Sequence, residues 1–323
     1  MQGQYPFIVS KELFINATGS EIVIAQLEER RLVELTREKG NNNYAVGDIY
    51  LGRVKKVMPG LNAAFVDVGY EKDAFLHYLD LGPQVQSLIK YVNQGLAGKL
   101  QNASLEHFQN EADIKKDGKI GNVLQANQSV LVQIAKEPIS TKGPRISSEI
   151  SLAGRFLVLV PFSDKISVSQ KLRDGEERNR LKRLIQSIRP KGFGVIIRTV
   201  AQNKKVAELD QDLAELVQRW EKLVGNLPNA QPKNKVLGEI KRTSALLRDV
   251  LNDSFSNIVV DDPNIFAEVR NYIHQIAPEK EKIVRQHKGK AGLFEEAGID
   301  RQLKALFGQN VSLRSGAYLI IQH

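Results

Sequence analysis

Apolar residues alternate with polar ones near the start of the chain, and this pattern predicts a β-meander over residues 12–36. Leu13 and Ile15 form the first alternating pair, and Ile22 and Ile24 repeat the pattern after a polar turn. Period-two alternation places one face of a strand on a core and the other face in solvent. A third apolar stretch follows a charged turn, so we expect three consecutive strands.

Similar patterns predict a small β-barrel within residues 46–138, interrupted by a polar insertion at about 82–122. The insertion is too long for an ordinary loop, so we expect a flexible excursion with a helical piece or two. Gly52 lies inside the first barrel strand, where it predicts a bulge or a bend. The predicted barrel strands cover residues 48–57, 62–68, 73–77 and 129–136.

The pattern changes beyond the barrel, where helix-period stretches alternate with short apolar runs. Strands are predicted at 156–161 and 195–199, on either side of a helix at 176–188. A second helix, 210–224, carries an apolar stripe that includes Trp220, which predicts a core position and not a base-stacking surface. A linker at 228–232 is followed by predicted helices at 237–251, 264–276 and 300–307, a strand at 257–260, and a hairpin of 311–313 and 318–322.

Composition then excludes several classes of function. The 323 residues include no cysteine, which excludes a disulfide scaffold, a thiolate zinc site, an iron–sulfur cluster and a cysteine nucleophile. No apolar run approaches the ~20 residues needed to span a bilayer, and the N-terminal segment lacks the pattern of a secretory signal. We therefore expect a soluble, cytoplasmic protein without a membrane partner.

Positive charge is concentrated in one stretch of the chain. The whole sequence has 46 Lys and Arg against 37 Asp and Glu, a net charge of +9, while residues 136–205 alone have 16 against 6. This stretch therefore carries the entire surplus. Because neutralising phosphates releases counterions, clustered positive charge predicts a polyanionic partner. A basic face that is merely solvated is the alternative.

Two aromatic residues and nearby cations make the predicted barrel a candidate nucleic-acid-binding surface. Phe65 and Phe75 lie on adjacent predicted strands, and Arg53 and Lys55 lie on the strand before them. Single-stranded nucleic acid binds such surfaces by stacking its bases on rings while cations contact its phosphates. The alternative, equally compatible with the pattern, places both rings in the core.

A second candidate site lies where Arg198 and Thr199 end a predicted strand, after a helix rich in Arg and Lys. An arginine can bind a terminal phosphate with two parallel hydrogen bonds, and a hydroxyl adds a third donor. Lys142 and Gly143 offer backbone N–H groups to the same anion. An Arg–Thr pair by itself is a weak signal, so an ordinary strand end is the alternative.

Metal-binding and nucleophilic motifs are not visible in the sequence. The five histidines are scattered, with none at ligand spacing. Asp261 and Asp262 follow a predicted strand and could bind Mg²⁺, but the adjacent Pro263 favours a strand-end turn and a helix cap. Neither a Ser/His/Asp grouping nor a phosphate-binding Gly-Lys-Ser/Thr loop stands out.

In combination, these segments resemble the ribonuclease E/G family, in the same order from about Lys11 to the end of the chain. The tract 82–119 matches only loosely. The resemblance is carried by Glu12-Leu-Phe-Ile-Asn-Ala-Thr, Gly47-Asp-Ile-Tyr-Leu-Gly-Arg-Val, Val57-Met-Pro-Gly-Leu-Asn-Ala-Ala-Phe-Val-Asp-Val-Gly, Thr141-Lys-Gly-Pro-Arg-Ile-Ser-Ser, Ile196-Ile-Arg-Thr, Ile258-Val-Val-Asp-Asp and Leu313-Arg-Ser-Gly-Ala-Tyr-Leu-Ile-Ile.

The resemblance implies an α+β multidomain architecture. An RNase H-like α/β subdomain would be split between residues 1–45 and 233–309. An OB-fold RNA-binding barrel at 46–138, with the insertion at about 82–122, and an α/β 5′-sensor subdomain at 139–232 would lie between its two parts. Residues 310–323 would begin a DNase I-like catalytic domain.

The resemblance also implies a single-strand-specific endoribonuclease of RNA processing and decay. Family members hydrolyse RNA with Mg²⁺ held by aspartates that follow the strand at 318–321, so we expect this chain to end before them. The chain would then contain no catalytic or metal-binding residue and be inactive alone. The full-length protein would bind RNA with a 5′-monophosphate and form a homo-oligomer through regions missing here. The alternative is a complete, non-catalytic RNA-binding or assembly module.

Arg198 and Thr199 match the residues with which the family binds the 5′-phosphate, and Gly143 matches a backbone contact of the same pocket. Lys142 and Lys171 complete the predicted 5′-phosphate site. Gln170-Lys171 departs from members that have paired arginines at this position.

The resemblance implies a second site on the barrel. Phe65, Phe75 and Lys136 match the residues that clamp single-stranded RNA in the family. Arg53 and Lys55 complete the predicted RNA-binding set.

Overall fold

The computed structural model describes residues 10–18, 21–39, 44–239, 242–252, 254–313 and 315–321. These residues divide into two compact units. Unit 1 joins the two ends of the chain, Met1–Asn42 and Arg242–His323, and unit 2 is the intervening segment Asn43–Lys241.

The strands and helices follow one another in mixed order along the chain. The strands are β1 (Lys11–Thr18), β2 (Glu21–Glu28), β3 (Arg31–Lys39), β4 (Ile49–Met58), β5 (Ala63–Asp67), β6 (Ala74–His77), β7 (Ser129–Lys136), β8 (Arg145–Ser147), β9 (Leu152–Ala153), β10 (Leu157–Pro161), β11 (Ile166–Val168), β12 (Phe193–Ile197), β13 (Lys235–Leu237), β14 (Phe255–Val260), β15 (Val284–Gln286), β16 (Asn310–Ser312) and β17 (Tyr318–Ile320). The α-helices are α1 (Val85–Leu96), α2 (Gly175–Ile188), α3 (Val206–Asn226), α4 (Arg242–Val250), α5 (Pro263–Ile276), α6 (Leu293–Glu296) and α7 (Ile299–Leu306).

Unit 1 is built on a sheet with the strand order β15-β14-β1-β2-β3. The predicted meander forms its antiparallel part, and β1 also pairs in parallel with β14 from the other end of the chain. Leu13 and Ile15 pack into one core with residues of α4 and α5, while Phe14 packs on the opposite face with Leu293 and Phe294. Because β1 is central, both of its faces are buried, as its Leu-Phe-Ile run requires.

The barrel of unit 2 closes through the strands β4-β5-β6-β8-β7, since β7 also pairs with β4. Gly52 is fully enclosed on β4, where a Cβ atom would collide with the Val66 side chain. The β4–β5 register shifts shortly afterwards, between Val54 and Lys56. Gly52 itself pairs with Val130 of β7 in regular register. The irregularity predicted at Gly52 is therefore found further along β4 and not at the glycine.

A second sheet of unit 2, β11-β12-β10-β9, is covered by α2 and α3. Trp220 of α3 is buried there, and its indole N–H donates to the Ala103 carbonyl oxygen at 2.9 Å. The prediction of a core tryptophan is confirmed. The 82–122 insertion carries the amphipathic helix α1, whose Tyr91 packs against Trp220 with ring centroids 5.7 Å apart. The insertion therefore contributes to the core, in contrast to the expected flexible excursion.

The structure also changes the predicted helix at 237–251. Lys235–Leu237 forms β13 and pairs with β4, so the helix begins only at Arg242. The α+β class and the closed barrel are confirmed. The RNase H-like identity of unit 1 and the 5′-sensor identity of the second sheet remain predictions.

Candidate nucleic-acid interface

Five side chains from five strands form one row across the outside of the barrel, which we call the cross-strand row. Its members are register partners in successive pairs, and register partners on neighbouring strands share a face of the sheet. Adjacent strands lie about 4.8 Å apart, so the row is continuous. In spatial order it consists of Lys56, Phe65, Phe75, Arg145 and Lys136.

The two phenylalanines at the centre of the row face outwards. Both rings are partly exposed, whereas Ala64 and Val66 on either side of Phe65 are fully buried inside the barrel. The rings meet edge to face with centroids 5.9 Å apart. His77, two residues after Phe75, lies on the same face with its ring 6.5 Å from Phe75. The alternative that both phenylalanines are core residues is therefore wrong.

The cations at the two ends of the row are exposed and uncompensated. Lys56 and Lys136 form no ion pair with any residue that the structure describes. Arg145, next to Lys136, is different because it forms a two-pronged salt bridge with Asp80. The site residues predicted from the sequence did not include Lys56, Arg145 or His77. His77 could have been found from the sequence, because its two-residue spacing from Phe75 places it on the same face of the strand.

Of the two other predicted barrel cations, Arg53 is exposed and Lys55 is engaged in an ion pair. Lys55 and Lys233 approach the same carboxylate oxygen of Asp67, at 3.2 and 3.0 Å. Burial raises the pKa of Asp67, but hydrogen bonds from Lys233, the Gly69 N–H and Lys55 outweigh it and leave the pKa below its ordinary value. Asp67 therefore stays ionised and neutralises part of this flank.

The predicted phosphate-binding residues lie around the end of β12. The Arg198 side chain is partly exposed, and its Nη1 donates to the Gly154 carbonyl oxygen at 2.8 Å. Thr199 Oγ1 lies 3.1 Å from Ser169 Oγ, and the Lys171 N–H donates to that same hydroxyl at 3.4 Å. We call Arg198, Thr199, Ser169 and Lys171 the Thr199 cluster.

A buried carboxylate fixes the backbone beside Arg198. Asp212 of α3 accepts the backbone N–H groups of Arg155, Phe156 and Leu157 at 2.8–2.9 Å. Burial raises the pKa of Asp212, while the three N–H groups and the nearby Arg198 charge act in the opposite direction. These bonds hold the turn whose Gly154 carbonyl receives Arg198, so Asp212 helps to orient that guanidinium.

Lys142 and Gly143 lie on the connection from β7 to β8, and the hydrogen bonds that define the Thr199 cluster do not include them. Gly143 packs against the backbone of Lys72 and Asp73, so closely that a Cβ atom would lie 2.8 Å from the Lys72 carbonyl oxygen. The next residue, Pro144, accepts the Phe75 N–H at 3.0 Å. This connection therefore supports the barrel strand that carries Phe75.

The Asp261–Asp262 pair has a structural role in unit 1. Asp261 accepts the side-chain amide of Asn16 at 2.7 Å and the Ala17 N–H at 2.8 Å. Asp262 caps α5 by accepting the N–H groups of the second and third helical residues. The predicted turn and helix cap are confirmed. Within the described residues, no three His, Cys, Asp or Glu side chains converge as a metal site would require.

A closed barrel with exposed aromatic rings between cations is typical of proteins that bind single-stranded nucleic acid. A family model described as "Ribonuclease E/G family" matches residues 151–323, and the chain belongs to this family. No helix in the described part of the chain has the length and apolarity to cross a bilayer.

Individual relatives extend the match over almost the whole chain. The chain is 32% identical to Ribonuclease G of Haemophilus influenzae and 30% identical to Ribonuclease G of Escherichia coli K12, over 96% and 97% of its length. It is 29% identical to Ribonuclease E of a Nostoc strain over 93% of its length. The chain spans 60% of each of the two Ribonuclease G relatives and 40% of the Nostoc protein.

Proposed function

We propose that this chain is the RNA-recognising part of an endoribonuclease and that single-stranded RNA binds along the cross-strand row. The observation that carries the proposal is the exposure of Phe65 and Phe75 between the uncompensated Lys56 and Lys136. Bases stack on the rings, and phosphates approach the two lysines. An intact duplex would not offer unstacked bases, so this surface selects single strands.

The Thr199 cluster is proposed to bind a 5′-monophosphate at the start of the same RNA. Arg198 supplies a guanidinium, Thr199 and Ser169 supply hydroxyls, and the exposed Lys171 supplies a further charge on the same turn. A 5′-hydroxyl end lacks the anion that these donors match. The cluster would therefore change affinity according to the 5′ end, while binding at the barrel is unaffected.

Hydrolysis in the full-length protein is proposed to require Mg²⁺ bound by aspartates that lie outside this chain. In this proposal the chain alone does not cleave RNA. The full-length enzyme acts in RNA processing and decay in the cytoplasm and forms a homo-oligomer through other regions.

The 5′-end proposal is tested with RNA of one sequence that carries either a 5′-monophosphate or a 5′-hydroxyl and a fluorophore at its 3′ end. A charge-assisted contact contributes about 1.5–3 kcal/mol, so the unmutated chain should prefer the phosphate by roughly 10- to 100-fold. Thr199→Val should reduce this preference about tenfold without weakening binding of the hydroxyl RNA. Arg198→Lys should also reduce it, because lysine lacks the planar fork.

Thr36→Val, at a partly exposed threonine of unit 1, is the matched control and should leave the preference unchanged. Equal affinity of the unmutated chain for both RNAs would contradict 5′ sensing while leaving binding at the barrel open to its own test.

A further inference from the structure

Arg145 occupies the position in the cross-strand row between an aromatic ring and a lysine, yet its charge is already matched. Its Nε and Nη2 atoms donate to the two carboxylate oxygens of Asp80, at 3.1 and 3.0 Å. The Arg145 side chain is 47% exposed and that of Asp80 21% exposed, so the pair lies at the surface of the barrel. Because the Asp80 carboxylate offsets the positive charge of Arg145, this pairing weakens the attraction of Arg145 for phosphate.

The salt bridge fixes the plane of the guanidinium. A two-pronged arginine–carboxylate pair is geometrically specific, because both groups are planar. Asp80 is itself held by its backbone carbonyl oxygen, which accepts the Ser147 hydroxyl at 2.8 Å and the Ser148 N–H at 2.9 Å. Nη1 of Arg145 forms no hydrogen bond within the described part of the chain. The guanidinium is therefore oriented by Asp80, while its Nη1 edge has no hydrogen-bond partner among the described residues.

On one side of Arg145, the row continues with two planar stacking groups. Phe75 is its register partner on β6, and Phe65 is the register partner of Phe75 on β5. Three flat groups thus follow one another on strands spaced about 4.8 Å apart. Guanidinium planes stack on nucleic-acid bases as aromatic rings do, because the group is delocalised and weakly hydrated.

We propose that Arg145, held flat by Asp80, is a third base-stacking surface of the barrel and not a phosphate-neutralising cation. This inference rests on the proposed binding of single-stranded RNA to the row. The row is then divided by role, since Phe65, Phe75 and Arg145 contact bases, whereas Lys56 and Lys136 contact phosphates. Asp80 is a positioning residue, because it acts on RNA only through Arg145.

The salt dependence of RNA affinity separates the two roles. The probe is an unstructured, fluorescein-labelled RNA of about ten nucleotides, titrated by fluorescence anisotropy at several salt concentrations. The variant Asp80→Asn/Arg145→Ala removes both members of the salt bridge and leaves the net charge of the row unchanged. This double variant should weaken binding roughly 5- to 150-fold with the salt slope unchanged, since a stacking contact releases no counterion. Lys136→Ala should make the slope shallower by about 0.7, the value for one phosphate contact on a single strand.

Asp80→Asn gives a prediction of opposite sign. It removes the carboxylate charge and frees the Arg145 guanidinium to attract phosphate, so the slope should become steeper by about 0.7. The carbonyl bonds of Asp80 to Ser147 and Ser148 are unaffected by this change. Glu281→Gln is the control. Glu281 forms an ion pair with Arg270 in unit 1, with Oε1 and Nε 2.7 Å apart, and the two side chains are about as exposed as those of Asp80 and Arg145. It should leave the slope unchanged.

Unchanged affinity in the Asp80→Asn/Arg145→Ala variant would overturn the inference and leave the salt bridge as a structural contact. A shallower slope in the double variant, equal to that of Lys136→Ala, would overturn it in favour of phosphate binding. Arg145→Lys, which keeps the charge but not the plane, provides a second variant if the alanine protein does not fold, and it should also lose affinity. If Phe75→Ala binds this RNA as well as the unmutated chain, the proposed function itself fails.

Discussion

The cross-strand row and the Thr199 cluster both present positive charge, but they hold it differently. In the row, Lys56 and Lys136 extend from a regular barrel without ion pairs among the described residues. In the cluster, Arg198 is bonded to the Gly154 carbonyl and lies near the buried Asp212. Strand register builds the first surface, and turns fixed by a buried carboxylate build the second.

This difference assigns different roles to the two regions. Free cations beside aromatic rings give affinity that depends on salt and little on the identity of the RNA end. A compensated, oriented arginine gives less general affinity and more discrimination, because only a well-placed anion adds to the bonds it already makes.

Gly143 is expected to show the largest effect on stability, because it belongs structurally to the barrel. Gly143→Ala would drive a Cβ atom against the backbone of Lys72 and Asp73, which cannot yield as a flexible side chain can. We expect the free energy of unfolding to fall by about 3 kcal/mol, measured by urea denaturation. RNA binding should weaken equally for both 5′ ends, because the β6 strand of Phe75 is disturbed.

Gly121→Ala is the matched control, since no atom lies within 4 Å of its added Cβ. If Gly143→Ala instead folds normally and loses only the preference for a 5′-monophosphate, Gly143 belongs functionally with the Thr199 cluster and the division drawn here is wrong.

Asp67 tests a smaller effect at the barrel flank. Its pKa lies below the ordinary value, so its contribution to stability is present above about pH 4 and is lost as the pH falls through the lowered value. Asp67→Asn should therefore cost roughly 1.5 kcal/mol at about pH 7, and the stabilities of the two proteins should converge as the pH falls through the lowered pKa. A stability difference that stays constant over this range would show that the charge of Asp67 is not what binds Lys55 and Lys233.

Much of the fold follows from local pattern. The alternation at Leu13 and Ile15, the stripe around Trp220 and the cap signalled by Asp262-Pro263 all predict elements that the structure contains. These features could be predicted because each depends on neighbours within a few residues. The prediction of a helix starting at residue 237 was wrong for the opposite reason. Lys235–Leu237 forms a strand because it pairs with β4, which is far away in the sequence.

The candidate site was only partly predictable for the same reason. Alternation identified Phe65 and Phe75 but left their face undecided, since both sides of a barrel strand can be apolar. Lys56 and Arg145 belong to the row because the strand register shifts between Val54 and Lys56 and between Ile134 and Lys136. A period-two pattern in the sequence cannot predict such shifts. The pairing of Arg145 with Phe75 depends on a parallel contact between distant strands.

The single-strand selectivity of the row is tested most directly by titrating the labelled RNA, alone and annealed to its complement, with the unmutated chain and with a Phe65→Ala/Phe75→Ala variant. Val33→Ala, at a half-exposed position of unit 1, serves as the control. Since stacking contributes about 1–3 kcal/mol per base, the unmutated chain should bind the single strand at least about tenfold more tightly than the duplex, and the double variant should lose most of this difference. Equal affinity for the two forms, or an undiminished preference in the double variant, would contradict the account.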